Sequence, residues 1–351
     1  MVQALTHLAA VLHALNASWR DLARITGYYA SNGIEPADLA ACHALMTDTI
    51  GAHRCAGAGV MLAPVAKGAR LAIEAIVDVS GSKQVLSSSG TFNAAPWAIA
   101  TRVGTTLFVS GVIPDHTLLD VNVPVASHET SGASSFFACS QSAYRRLALA
   151  CDAIREAWSD CAGLSDIVRL HQHITPPVID LAEFRRSRAD LLRTGDFVSA
   201  SVHSGEDDPA CAGRDPCITI DAEGVIGPRR RVTMAGVWAN PGGLHGVVSD
   251  EVAFFQAQMG RSGDGVTVPA IEPARHAAQV FANIDCMLAA ARLSWHDVVH
   301  LRAFCRDRAQ ADHAAGELGE RLGDHACAAT CLIAGFFDPQ ALLEIEITAV
   351  P

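Results

Sequence analysis

Acidic residues within otherwise apolar stretches are the clearest candidates for chemistry in this sequence. Glu74, Asp221 and Glu346 each lie in a short apolar stretch that reads as a β-strand. A carboxylate held on such a strand can orient a water molecule or transfer a proton. Alternation along a strand also turns polar residues toward solvent, so each acid has a purely structural alternative. Glu344 shares a face with Glu346, which leaves open which member of that pair is simply exposed.

Metal and cofactor chemistry has little support. His171 and His173 lie on one face of a predicted strand at the spacing of metal ligands, but no third ligand is evident. The chain has no CxxC, GxSxG, P-loop or GxGxxG motif, and the glycines of residues 56–59 lack the strand-to-helix context of a phosphate cradle. We therefore expect neither a metal nor a cofactor.

The three acids close three stretches that follow one pattern: a helix, a short Asp segment, a strand, a second helix and a closing strand. Each helix carries apolar residues at three- and four-residue intervals. The closing acid follows the Asp of its own stretch by 53, 55 and 49 residues. A recurrence of order and spacing indicates an internal repeat. The Asp segments are 18–25, 163–170 and 294–301, with Asp21, Asp166 and Asp297 aligned without a gap.

Predicted β-hairpins precede the second and third stretches. Residues 98–113 turn at Gly104, and residues 245–259 turn near Asp250. The first stretch begins directly at an amphipathic helix within residues 2–19, without such a hairpin. The sequence therefore predicts an α+β chain of three tandem units, with the first unit lacking its opening hairpin. The expected boundaries are 1–80, 83–226 and 229–351.

Short motifs in these units are similar to those of a known family. They are Ala95-Pro96-Trp97, the run from Gly104 through 107–114, the helix starting at 279–284, and the closing strands. At these positions the sequence resembles the Rid (YjgF-type) family of enamine and imine deaminases. Members of that family are homotrimers with a pocket at every subunit boundary. The resemblance implies three Rid-like (chorismate-mutase-like) units in an intramolecular pseudo-trimer, with the sheets forming a central barrel and the helices outside.

The resemblance also implies a set of site residues. The family's carboxylate-clamping Arg is best matched by Arg54, although a surface Arg at a strand start is the alternative. Glu74 and Glu346 match the acid that orients water during imine hydrolysis. Trp97 stands where the family has a Tyr, and Ser110 and Gly111 match a Ser-Gly pair whose backbone binds substrate. The equivalent stretches of the second and third units contain no Arg.

Three functions follow from these residues. The first is hydrolytic deamination of a carboxylate-bearing imine or enamine. Arg54 would hold the substrate, water oriented by Glu74 would attack it, and Trp97 and Ser110 would line the pocket. The second is a chorismatase-like tailoring reaction on a cyclic carboxylic acid, with Glu346 as the acid or base. The second and third units, however, offer no convincing set of arginines for two carboxylates. The third is a non-catalytic small-molecule-binding or assembly module.

Composition limits the class of partner. The chain has 351 residues, 50% of them hydrophobic, and a formal net charge of −11. Such a chain can bury a core, and its acidity disfavours nucleic acid, whose binding depends on Lys and Arg. No apolar run has the roughly 20 residues that a bilayer needs. Eleven cysteines at low density indicate a reducing, cytoplasmic environment. We therefore expect a small-molecule substrate, no nucleic acid and no membrane, and leave self-association open.

Overall fold

A computed structural model of the chain describes residues 1–30, 36–66, 68–87, 97–113, 132–175, 181–191, 197–203, 217–239 and 244–351. Ala95, Pro96 and Pro114 of the family motif lie outside these ranges. The helices described are α1 Val2–Ala14, α2 Pro36–Ile50, α3 Gly132–Ala157, α4 Leu181–Leu191, α5 Pro273–Ala291 and α6 Arg308–Leu322. The fold is α+β, as expected.

The strands run in chain order through three sheets. The first sheet contains β1 Leu22–Tyr29, β2 Ala56–Val60 and β4 Leu71–Val77. Strand β3 Ala63–Pro64 lies between β2 and β4 in the chain but belongs to the third sheet. The second is β5 Gln84–Leu86, β6 Ala100–Val103, β7 Thr106–Val112, β8 Ile167–Thr175, β9 Val198–His203 and β10 Cys217–Val225. The third is β11 Arg230–Val232, β12 Gly246–Val248, β13 Ala253–Phe255, β14 Gln258–Met259, β15 Val298–Cys305, β16 Ala328–Ile333 and β17 Leu343–Ala349.

One three-strand arrangement occurs in every sheet. A central strand (β1, β8 or β15) pairs in parallel with the strand after the second helix (β2, β9 or β16). The same central strand pairs antiparallel with the closing strand (β4, β10 or β17). A parallel pair needs a crossover, which α2, α4 and α6 provide.

The Asp segments enter the central strands through local hydrogen bonds. Asp21 accepts from the backbone N–H and the hydroxyl of Ser18, at 2.8 and 2.9 Å. Asp297 accepts in the same way from Ser294, at 2.7 and 3.0 Å. Asp166 accepts from the backbone N–H of Ala162 at 2.6 Å. These bonds satisfy donors at the start of a short 3₁₀ turn and fix where each strand begins.

The closing strands differ in what lies on their second edge. Strand β10 pairs with β7 of the 98–113 hairpin, whose turn residue Gly104 has φ +57°. Strand β17 pairs with β13 and β14. Strand β4 pairs only with β1 among the described residues.

The expected closed central barrel is not found among the described strands, which form separate sheets of three, six and eight strands. Contacts between sheets are made by side chains and by single bridges, such as Cys55 with Trp97 and His203 with Gly335. Successive side chains of a strand point to opposite faces of its sheet. One face of each central strand therefore packs on helices, and the other face meets the neighbouring sheets. The helix-side cores contain Ile25 on β1, Leu170 on β8 and Leu301 on β15.

Candidate active site

The faces of the central strands that point away from the helices meet in a buried ion cluster. Arg24 on β1 donates to Asp221 at 2.7 Å and to Glu223 at 2.5 Å, both on β10. Arg169 on β8 also pairs with Glu223 and lies 4.4 Å from the ring centre of Phe254. These four charged side chains are no more than 3% exposed. Charged groups buried to this degree are stable only when paired.

The cluster continues across the third sheet and returns to the first. His171 on β8 lies 2.6 Å from Asp221 and 3.0 Å from Glu346. Arg302 on β15 pairs with Glu346 on its own sheet and, at 2.5 Å, with Glu74 on β4. The ion pairs therefore run from the first sheet to the second, from the second to the third, and from the third back to the first.

The charged groups of this cluster shift one another's pKa values. Burial alone would raise the pKa of Glu346, but His171, Arg302 and Arg169 bring that pKa well below its usual range. Burial likewise acts to raise the pKa of Glu74, and Arg302 and His300 outweigh it. For His171, burial lowers the pKa, but Glu346 and Asp221 together raise it. Three arginines and His171 thus face four carboxylates.

Glu74 and Glu346, predicted as site acids, are therefore both held by Arg302. Their carboxylate oxygens accept hydrogen bonds from the Arg302 guanidinium. Arg54 lies elsewhere, partly buried after a short 3₁₀ turn, where its carbonyl is 3.5 Å from Lys83 Nζ. No contact among the described residues joins Arg54 to Glu74. The roles assigned to these three residues stay predictions.

The other predicted residues lie together at the boundary of the first and second sheets, which is tightly filled. Ser110 accepts from the Gly57 N–H at 2.9 Å and donates to the Ala98 carbonyl at 2.6 Å. The Trp97 ring lies over Gly57 so closely that a Cβ there would be 2.1 Å from it. A Cβ on Gly111 would stand 3.0 Å from Ala58. Trp97 thus fills space beside β2, and Ser110 is used to join two strands.

An open pocket of about 300 Å³ lies at the boundary of the second and third sheets. Gln256 takes the place that Ser110 has at the first boundary: its amide accepts from the Ser199 N–H at 3.1 Å and donates to the Ser199 carbonyl at 2.6 Å. The volume of the pocket is at the small end of the ~300–1,000 Å³ typical of ligand sites. The lining includes Arg188, Trp238, Arg261, Phe337 and Glu344.

Arg188 on α4 brings a buried positive charge to this pocket. It is 8% exposed, and burial lowers the pKa of its guanidinium. It donates to the Ser199 hydroxyl at 3.3 Å and lies 5.8 Å from the ring centres of Phe184 and Phe197. No carboxylate pairs with it in the part of the chain that the structure describes. A buried cation without a counter-ion is costly, and an anionic ligand would offset that cost.

Glu344 on β17 brings a neutral carboxyl group to the same pocket. It is 3% exposed, and burial, together with the nearby negative charge of Glu346, raises its pKa to about 8. At neutral pH this carboxyl is mostly protonated and can donate a proton. A carboxyl group with a pKa near the operating pH is suited to general acid catalysis.

Arg261 supplies a second guanidinium, fixed in position. It donates to Asp338 at 2.5 Å and to the Thr267 hydroxyl at 3.0 Å, and it lies 4.5 Å from the ring centre of Trp238. Asp338 also accepts from Thr267 and from the Gln340 N–H. Held on several sides, Arg261 has little rotamer freedom left to lose when a ligand binds.

Arg188 and Arg261 were not among the predicted site residues. The resemblance placed the clamping arginine on the strand after the second helix, whereas Arg188 is on that helix and Arg261 follows β14. Arg188 and Arg261 are candidate anion-binding residues of these two units, and the expectation that the units lack a convincing set of arginines stays a prediction. The sequence did contain one signal for a second polar site, the pair Glu344 and Glu346. Two acids on one strand face need separate polar partners if both are buried.

The two histidines at metal-ligand spacing lie at the ion cluster. His171 contacts two carboxylates, and burial lowers the pKa of His173 to about 3. In the described ranges no group of three or more His, Cys, Asp or Glu residues is placed to hold a metal ion. None of the described helices has the length and apolar character needed to cross a membrane.

Comparison with known proteins gives one family and one fold. No curated protein matches the chain. Yeast YEO7 matches 35% of the chain over 98% of its own length, with 21% sequence identity and a TM-score of 0.33. RidA from the Antarctic bacterium Psychrobacter matches 35% of the chain over 100% of its own length, with 18% identity and a TM-score of 0.32. A crystal structure of chorismatase matches 94% of this chain over 93% of the chorismatase chain, with 13% sequence identity and a TM-score of 0.58. Residues 244–351 match the family model for endoribonuclease L-PSP, the Rid-type family, and the chain as a whole has the fold of chorismatase.

Proposed function

We propose that the chain is an enzyme that binds a small carboxylate-bearing molecule in the pocket between the second and third sheets and protonates it from Glu344. The observation that carries this proposal is the presence, in one small pocket, of two buried groups: a cation that has no carboxylate partner among the described residues, and a neutral acid. Arg188 attracts the carboxylate, and Arg261 offers a second guanidinium for another anionic group. Glu346 supports Glu344 by keeping its proton bound.

The substrate class that this arrangement suits best is a cyclic dicarboxylic acid with an enol ether. Chorismatase, whose fold the chain shares, acts by its name on chorismate, which is such a compound. Glu344 would protonate the terminal carbon of the enol ether, and water would add to the adjacent cation. The adduct then releases the ring alcohol and a 2-keto acid, and the proton from the added water restores Glu344. This version of the tailoring reaction uses Glu344, not Glu346, as the acid.

A second candidate is hydrolysis of a carboxylate-bearing imine or enamine in the same pocket, which the family match over 244–351 favours. A neutral Glu344 can protonate an enamine carbon or an imine nitrogen, after which water adds and ammonia leaves. Chorismate and 2-iminobutyrate are the two substrates to assay. If neither is consumed faster than in buffer, and cyclic dicarboxylic acids leave the melting temperature unchanged, the enzymatic proposal fails and a non-catalytic role remains.

Replacement of Arg188 by methionine tests the binding step. Loss of a charge-assisted contact worth about 1.5–3 kcal/mol raises KM or Kd roughly 10–100-fold. Because the same substitution removes a buried charge that has no carboxylate partner among the described residues, we expect the folded protein to keep or gain stability. Arg155→Met, on an exposed side chain of α3, is the matched control. Unchanged KM and kcat in Arg188→Met would remove Arg188 from the site.

The pH dependence of turnover tests the acid. Glu344 must be protonated to donate, and its pKa is raised to about 8. We expect kcat/KM to hold through neutral pH and to fall as pH rises above about 8. A rate that instead increases through this range would assign the group a role as a base. The measurement is a pH–rate profile from pH 5 to 10 at constant ionic strength.

We further propose that the chain consists of three units, 1–80, 83–226 and 229–351, arranged as an intramolecular pseudo-trimer. The recurrent three-strand order and the cyclic ion pairs support this reading. A cytoplasmic location and the absence of a cofactor stay predictions from composition and motifs.

A further inference from the structure

Two buried carboxyl groups lie side by side on one face of β17. Glu344 and Glu346 are separated by one residue, and side chains two residues apart on a strand share a face. They are 3% and 1% exposed. Two carboxylates buried so close together repel each other, and such a pair keeps a proton on one member unless both have cations beside them. The surroundings therefore decide which of the two acids is ionised.

The cations lie at Glu346. Arg302 stands directly across from Glu346 in the register of β15 with β17, and its guanidinium donates to the Glu346 carboxylate. His171, from β8 in the second sheet, lies 3.0 Å from the same carboxylate. Arg302 also donates to Glu74 of the first sheet at 2.5 Å, so its guanidinium is held from two sides. These contacts fix the negative charge of the pair on Glu346.

The strands packed against Glu344 bring no such cation to it. Its cross-strand neighbours are Met259 on β14 and Phe304 on β15, which are both uncharged. From β9, the backbone N–H of Ser201 forms a hydrogen bond with the carboxyl group. One oxygen of Glu344 is thereby held, while the side chain still lines the pocket.

The other charged groups near Glu344 come from the pocket. They are Arg185, Arg188, Arg261 and Asp338. Burial and then the charge of Glu346 raise the pKa of Glu344 to about 8, although the Ser201 hydrogen bond and Arg261 act to lower it. The guanidiniums of the pocket thus favour loss of the proton, and the negative charge of Glu346 favours its retention.

We infer that Glu346 is a positioning residue for the proposed acid: the ion cluster holds Glu346 as a fixed anion, and this anion holds the proton on Glu344. The inference rests on the proposed function only where it calls Glu344 the acid. It extends that function to residues that do not line the pocket, because Glu74 and His171 act on Glu344 through Arg302 and Glu346. All three sheets then contribute to the strength of one acid.

Glu346→Gln tests this inference by infrared spectroscopy and by kinetics. The C=O stretch of a protonated carboxyl group is separate from the bands of a carboxylate, and its loss in Glu344→Gln identifies the Glu344 band. In the unmodified protein this band should disappear as pH rises past about 8. In Glu346→Gln it should disappear at least about one pH unit lower, a tenfold change in proton affinity. The alkaline fall of kcat/KM should move by the same amount.

Glu223→Gln is the matched control. Glu223 is a buried carboxylate of the same cluster, but it lies on β10 and pairs with Arg24 and Arg169. This variant should leave the titration of the Glu344 band in place. The inference is overturned if Glu346→Gln leaves that titration unchanged. It is also overturned if Glu346→Gln, rather than Glu344→Gln, removes the band, because the proton then lies on Glu346.

A second variant covers the case in which Glu346→Gln does not fold. Glu346→Gln combined with Arg302→Met and Glu74→Gln leaves none of these three charges, and its Glu344 band should also titrate at lower pH than in the unmodified protein. An unchanged titration in this variant would equally overturn the inference.

The infrared readout needs no substrate, so it separates this inference from the proposed function. A lowered titration in Glu346→Gln with no turnover of chorismate or 2-iminobutyrate would support the inference about the proton and refute the proposed reactions. Turnover that is lost in Glu344→Gln, together with an unmoved titration in Glu346→Gln, would support the acid and refute the role of Glu346.

Discussion

Replacing Glu344 with glutamine is expected to lower kcat about 10²–10⁴-fold, the usual contribution of a general acid. Glutamine keeps the shape of the side chain and cannot release a proton at this pH. Substrate affinity should change little, because Arg188 and Arg261 provide the charge that binds an anion. The measurement is steady-state kinetics on chorismate and on 2-iminobutyrate. Glu156→Gln, on the exposed face of α3, is the matched control.

The same variant has a stability signature that separates a raised pKa from a general loss of structure. The pKa of Glu344 is about 8 in the folded protein against an ordinary value of 4.5, so the native state retains this proton longer. Its contribution to stability is complete below about pH 4.5 and is lost as pH rises toward 8. Urea unfolding of Glu344→Gln should therefore show a smaller decline between pH 5 and pH 9. Equal pH slopes in the two proteins would contradict the raised pKa.

Arg302→Met is expected to lower the free energy of unfolding by about 3–5 kcal/mol, the cost of leaving a buried ion pair without one partner. The substitution breaks two ion pairs, since Glu74 and Glu346 are both paired with Arg302. Urea denaturation at pH 7 measures it. Arg321→Met removes a partly exposed pair with Asp285 and Glu317, and should cost less than about 1 kcal/mol.

A triple variant distinguishes charge from shape in this prediction. Arg302→Met combined with Glu74→Gln and Glu346→Gln removes the unpaired charges and should recover most of the stability. The depressed pKa values of the two acids give wild-type stability that is present above their ordinary pKa of 4.5 and is lost as pH falls below it. Failure of the triple variant to recover would mean that Arg302 acts through packing alone.

The elements of the fold could be predicted because local hydrogen bonds and periodicity specify them. The Ser–Asp bonds of Ser18 with Asp21 and Ser294 with Asp297 recur at a fixed spacing, so they are visible in the sequence. The hairpin over 98–113 was predictable from Gly104, which needs a positive φ. The packing of the three sheets around the buried ion cluster was not predictable in this way. Contacts between sheets join residues far apart in the chain, and neither spacing nor composition encodes them.

The site could be predicted only to the level of a strand. Alternation places Glu344 and Glu346 on one face of β17, but it does not say which end of the strand meets a neighbour. The structure directs Glu346 to Arg302 and Glu344 to the pocket. Arg188 gave no signal, because it follows Arg185 and Arg186 on a polar helix that reads as solvated. Its burial depends on Phe184 and Phe197, whose positions only the tertiary fold defines.

The cyclic ion cluster has a consequence for synthesis of the protein. Arg24 waits for Asp221, 197 residues later, and Glu74 waits for Arg302, 228 residues later. Because synthesis proceeds from the amino-terminal end, the charged groups of the first sheet are made long before their partners. Arg302 and Glu346, which complete the cluster, lie in the last of the three sheets to be synthesised. The ions of the first sheet therefore gain partners only after the later sheets have been made, and pairing over such long separations slows folding.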